Sequence, residues 1–152
     1  MASNRHLGRI VALQTLYEED FRRSCGDDSL DLNEIMKRNI GRYRAIEDRQ
    51  FIIDLVLGVS KEADELDHTL RPLAPEWPIE QIARMDRTVL RMGLYELMHV
   101  SDVPAKVAIN EAVELAKAFG GDNSSKFING VLGTYVRQST GDKAPSPKKD
   151  SQ

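Results

Sequence analysis

Apolar side chains recur along this chain at the three- and four-residue spacing that gathers them on one side of a helix. Over residues 4 to 24, Leu7, Ile10, Leu13, Gln14, Tyr17 and Phe21 fall within about a third of the helical circumference, which predicts a helix with that side turned to the core. Gly26, with Asp27 and Asp28, closes it and opens a turn. Leu32, Ile35, Met36 and Ile40 supply the buried side of a short helix from about Leu30 to Asn39. From Ile46 to Leu70 the pattern predicts one long helix, with Phe51, Ile52, Leu55, Val56, Val59, Ala63, Leu66 and Leu70 on one side. Pro72, Pro75 and Pro78 follow, and since proline cannot donate within a helix, residues 72–78 form a connector that divides the chain. Trp77 in that connector is expected to plug the core between the halves, with stacking on a ligand as the alternative.

The second half restarts at Ile79, Ile82 and Met85 with a short helix or turn. The helix expected from Arg87 to Val100 is apolar nearly all round and should sit centrally. Pro104 fits the start of a further helix packed through Val107, Ile109, Ala112, Val113 and Ala116, which Gly120 and Gly121 stop. Ser124 or Asp122 is expected to cap the last helix, whose apolar side is Phe127, Ile128, Val131, Leu132, Tyr135 and Val136. Asn129 and Gly130 are poor helix formers, and the glycine suggests close approach of another backbone. No strand alternation is found, so the expected fold is all-α, a bundle of about seven helices in one domain over 1–138. Its halves are 4–71 and 79–138, and 139–152 is expected to be a disordered tail, too polar to offset the entropy of ordering.

Composition narrows the function. A chain of 152 residues with 41% hydrophobic content closes one core. No apolar run approaches the roughly 18 residues of a membrane span, and the start lacks a signal-peptide core, so a cytoplasmic protein with no membrane association is expected. Cys25 is the single cysteine, leaving no internal disulfide or cysteine-based zinc cluster. The net charge of -3 argues against strong unaided nucleic-acid binding, which then needs local charge or a partner.

Few constellations carry chemistry. His6, His68 and His99 stand without neighbours at ligand spacing, so neither metal nor cofactor is expected. Glu111 and Glu114 lead into Lys117 and read most simply as a solvated charge ladder rather than an acid/base pair. Gly120-Gly121-Asp122 lacks the pattern of a phosphate loop. Arg5 and Arg9 concentrate positive charge on the first helix, where they either meet an anion or simply face water.

Three stretches carry a family likeness. Val89-Leu90-Arg91 with Tyr95-Glu96-Leu97, then Val103-Pro104 and Val107 through Lys117, then Ser125-Lys126-Phe127-Ile128-Asn129-Gly130-Val131-Leu132, resemble the NusB family of transcription antitermination factors. Ala12, Gln14, Leu16-Tyr17, Gly58-Val59 and the Trp77 connector extend the likeness over about Arg5 to Val136. The resemblance implies two three-helix subdomains and no enzymatic activity. It also implies pairing with NusE, a small-subunit ribosomal protein, binding of boxA RNA from ribosomal RNA operons, and entry into the RNA polymerase antitermination complex.

Carried onto this sequence, the likeness places RNA binding at Arg5, His6, Arg9, Gln14 and Tyr17, and at Asn123, Ser125, Lys126 and Phe127. Cations would meet phosphates there and aromatic rings would stack on bases. Glu76, Glu80 and Asp86 match positions facing the basic partner. Two other readings stay open. A similar domain fronts certain ribosomal RNA cytosine methyltransferases as an RNA-binding module, and a homodimer could act as a scaffold without RNA binding of its own.

Overall fold

A computed structural model describes residues 2–141. Among these the chain is helical throughout its regular structure: α1 (Ala2–Ser24), α2 (Leu32–Gly41), α3 (Arg49–Lys61), α4 (Ala63–Leu70), α5 (Arg84–His99), α6 (Ala105–Phe119) and α7 (Ser124–Gly141), with short 3-10 turns at Arg71–Leu73 and Ile79–Gln81. The all-α expectation is therefore met. Contacts separate the chain into two units, 1–64 and 65–152, so the division falls within α4 and not at the proline connector. The helix expected over 46–70 is two helices. The backbone leaves helical geometry at Glu62 (φ -102°, ψ 16°), whose N–H still closes on the Gly58 carbonyl at 3.0 Å.

In the first unit α1 packs on α2 and α3. α1 ends in a Schellman turn, with Gly26 at φ 74° and the Asp27 N–H reaching the Arg22 carbonyl at 3.1 Å. Its buried residues are Gly8, Arg9, Val11, Ala12, Leu13, Thr15, Leu16 and Glu19; Leu13 is buried as expected, but the stripe as a whole is rotated from the expected one, and Phe21 is half exposed. The stripe is disguised because it contains polar residues, each satisfied inside. Thr15 Oγ1 donates to the Val11 carbonyl (2.9 Å) and accepts from Asn39 Nδ2 (3.0 Å). Glu19 accepts from Arg23 (2.8 Å) and from Ser60 Oγ (2.7 Å). At Gly8 the helices approach so closely that a Cβ would meet Ile52 Cγ1 at 3.1 Å. Asp31 caps α2 by accepting from the Asn33 and Glu34 amides, and Asp48 caps α3 by accepting from the Phe51 amide.

In the second unit α5 packs on both α6 and α7, which also pack on each other. It is the expected hub, burying Thr88, Val89, Leu90, Met92, Gly93, Leu94 and Glu96. The close approach sought at Gly130 is instead at Gly93, where a Cβ would meet Leu132 Cδ1 at 2.6 Å and Ala112 Cβ at 3.3 Å. A Cβ at Gly130 would meet nothing within 4 Å. Asp67 of α4 receives a two-pronged bond from Arg91 of α5, at 2.8 and 2.7 Å, with both side chains largely shielded from water. Val107, expected to pack, is exposed. α7 runs to Gly141, three residues into the stretch expected as tail; residues 142–152 lie outside the described residues.

Candidate nucleic-acid interface

The residues expected to meet RNA fall on both units. In the first, Arg5 and Arg9 lie one helical turn apart on α1 and converge on one ring: their guanidinium carbons sit 4.4 and 5.1 Å from the centroid of Phe51. Arg5 is also held by the α3 cap, Asp48, at 3.4 Å, and keeps 26% of its side chain exposed. Arg9 is 2% exposed. The sequence places both arginines on an open helix end, whereas the structure gives Arg9 a packed position behind the solvent-reaching Arg5. Periodicity alone missed this, because the stripe that buries Arg9 also carries Thr15 and Glu19. His6, Gln14 and Tyr17 are half-buried, and Gln14 Oε1 is shut off from solvent without a hydrogen-bond partner.

In the second unit the corner between α6 and α7 is set by a tight contact. Gly120 lies where a Cβ would sit 2.7 Å from Ser124 Cβ and 2.8 Å from the Ala116 carbonyl oxygen. Ser124 is buried, and its Oγ accepts from the Gly121 N–H at 2.9 Å. Ser124 thus ties back to the preceding loop instead of capping the amides of α7 as expected. The corner exposes Asn123 and Lys126 and leaves Ser125 and Phe127 half-exposed.

Trp77 corrects the expected core plug, for it is 55% exposed. The connector presents it through successive tight turns, the Ala74 N–H closing on the Arg71 carbonyl (3.3 Å) and the Trp77 N–H on the Ala74 carbonyl (3.0 Å). Ala74 is the buried residue that anchors them, and Arg71–Leu73 packs on α7. Trp77, Asp86, Asn123, Lys126 and Phe127 together line an open hollow of about 620 Å³. Trp77, Lys126 and Phe127 also line a second hollow of about 380 Å³, with Glu76, Gly130 and Thr134. Residues expected to face RNA and residues expected to face a partner thus share walls. Asp86 Oδ1 is buried without a hydrogen-bond partner. Glu80 lines neither hollow; it is exposed and bonded to Arg71 at 2.9 Å, which holds its carboxyl below the usual range. Ser125 also lies outside both.

Gly130 is among the lining residues that sequence reasoning did not place in this surface, and Trp77 was expected first in the core. A tryptophan among three prolines, in a segment that cannot continue a helix, was the available signal. Among the described residues no group of three or more His, Cys, Asp or Glu could hold a metal ion, and no helix is long and apolar enough to cross a membrane.

Known proteins resemble the chain over nearly its whole length. The NusB family model matches residues 6–137. A transcription antitermination protein NusB of Dehalococcoides mccartyi (strain CBDB1) is 43% identical over 138 residues, covering 90% of this chain and 92% of the relative. The structure of T. maritima NusB superposes with a TM-score of 0.77 at 28% identity, covering 88% of this chain and 91% of that one. A structure of antitermination factors NusB and NusE in complex with dsRNA shares the fold at 22% identity, with a TM-score of 0.76 and coverage of 91% and 99%.

Proposed function

From the premise that the chain belongs to the NusB family of transcription antitermination proteins, we propose that it acts without catalysis, pairing with a NusE-type small-subunit ribosomal protein and binding boxA RNA of ribosomal RNA operons within the RNA polymerase antitermination complex. The observation that carries this reading is the hollow where Lys126, Phe127, Asn123 and Trp77 converge. A cation for phosphate, an amide for a base edge and aromatic rings for stacking are the parts that single-stranded RNA recognition uses. The solved complex of a NusB with NusE and dsRNA supports the choice of both partners. On the first unit, Arg5, His6 and Tyr17 offer RNA contacts of their own, with the buried Arg9 packed on the same Phe51 ring as Arg5. Exposed Glu76 and Glu80 and half-exposed Asp86 supply carboxylates to a basic partner, which offsets the net charge of -3 of the chain.

The test is binding of a labelled boxA-like RNA to the protein alone and mixed with the cognate NusE, each at several salt concentrations. For single strands log K falls with log salt by about 0.7 per phosphate neutralised, so Lys126→Ala should flatten the slope by about that amount. Glu80→Lys should weaken the heterodimer with helicity unchanged. If neither sample prefers boxA to a scrambled sequence, the RNA assignment is wrong.

A further inference from the structure

Gly130 sits in mid-helix, on the exposed side of α7, where glycine costs helix stability. At Gly93 the same cost is explained by the close approach of the Leu132 and Ala112 side chains. At Gly130 no atom lies within 4 Å of where a Cβ would stand, so packing within the chain does not call for a glycine there. The residue does line the smaller hollow, and any side chain would stand at its wall. Trp77 and Phe127 line it too, Phe127 one helical turn before Gly130, and with Lys126 they also line the larger one. These three residues therefore form the partition between two adjacent depressions, and Trp77 is more than half exposed on it.

We propose that this partition is a wedge for single-stranded RNA: two consecutive unstacked nucleobases enter the two hollows, one on each side of Trp77 and Phe127, while Lys126 meets the phosphate that joins them. The inference rests on the RNA-binding reading above and deepens it by assigning Trp77 as a stacking residue and Gly130 as the position kept bare for the second base. Its chemistry is mutually complementary. Each base has an aromatic face for the rings, the linking phosphate has a negative charge for the ammonium, and a base edge in the larger hollow has the Asn123 amide within its walls. Duplex RNA does not fit the scheme, because its bases are already stacked on one another.

Trp77 is the single tryptophan of the chain, so its fluorescence reports on the wedge directly. The full chain is titrated with a single-stranded boxA-like oligonucleotide, with the same sequence as a duplex, and with the cognate NusE protein. Affinity is read in parallel from the anisotropy of the labelled RNA. The expected result is saturable quenching by the single strand but not the duplex, about tenfold weaker binding for Trp77→Ala, and partial recovery in Trp77→Phe. Gly130→Leu fills the smaller hollow and should weaken binding by a similar factor while leaving the melting temperature equal or higher, so lost binding there is not lost folding. If the labelled RNA binds but neither Trp77 emission nor the Gly130→Leu affinity changes, the wedge is wrong and the RNA-binding reading stands. Quenching by NusE alone, with none by RNA, overturns the wedge in favour of a protein contact. If no RNA binds with or without NusE, the broader reading fails as well.

Discussion

Glycine gives the sharpest contrast at the scale of single residues, because Gly93 in α5 and Gly130 in α7 both sit in mid-helix with opposite surroundings. Gly93→Ala would force a methyl to within 2.6 Å of Leu132, a side chain with 0% exposure and no room to swing away. A loss of about 1 kcal/mol or more is expected despite the better helix propensity, about 2–4 °C in melting temperature per kcal/mol for a chain of this size. Gly130→Ala meets open space and should gain roughly 0.5–1 kcal/mol, so thermal melts of the two variants move in opposite directions. Asp27 provides a second test. Hydrogen bonds from Ser29 and Arg22 lower its pKa from 3.8 to about 2. Its charged form is thus favoured by folding. The contribution is complete above pH 3.8 and disappears as pH falls through about 2, and a carboxyl titration followed by NMR should show the depressed midpoint.

Among the helices, what could be read from the sequence depended on whether polar side chains interrupt the buried stripe. α5 was recognisable as the hub because Val89, Leu90, Met92 and Leu94 leave little doubt about burial. The buried side of α1 was only partly recognised because Thr15 and Glu19, absent from the expected apolar side, are buried with partners supplied by α2 and α3. Such partners lie 24 and 41 residues away in the chain, so no local window contains them. The break between α3 and α4 was hidden for the opposite reason: the apolar period runs through Glu62 without a proline to mark the change. Thr15→Val would leave the Asn39 amide buried without its acceptor and should cost about 1–3 kcal/mol in a denaturant melt, while the double variant with Asn39→Leu should recover much of it.

The whole molecule presents its candidate chemistry on surfaces, which periodicity does not describe and family likeness does. Asn123, Lys126 and Phe127 do gather at one hollow, as a shared face requires. Trp77 was misread by the rule that large apolar residues lie inside, a rule that ignores how turns anchored by Ala74 can hold an indole outward. Charge works at the same scale. With net charge -3, the free protein has little long-range attraction for RNA, so addition of a basic partner should raise the association rate more than it slows dissociation. Stopped-flow mixing at two ionic strengths would show the gain shrinking as salt increases.

The two guanidiniums gathered on Phe51 bear on the thermodynamics of that encounter. A long cationic side chain ordinarily surrenders rotamer freedom when it grips a phosphate, on the order of 0.5–1.5 kcal/mol. Arg5, stacked over the ring and leaning on Asp48 while Arg9 fills the space beside it, has given up much of that freedom before any ligand arrives. The entropy loss belongs to folding instead of to binding. In the RNA contact proposed above, Arg5 would therefore bring a cation already ordered by folding, with little rotamer freedom left to lose on binding.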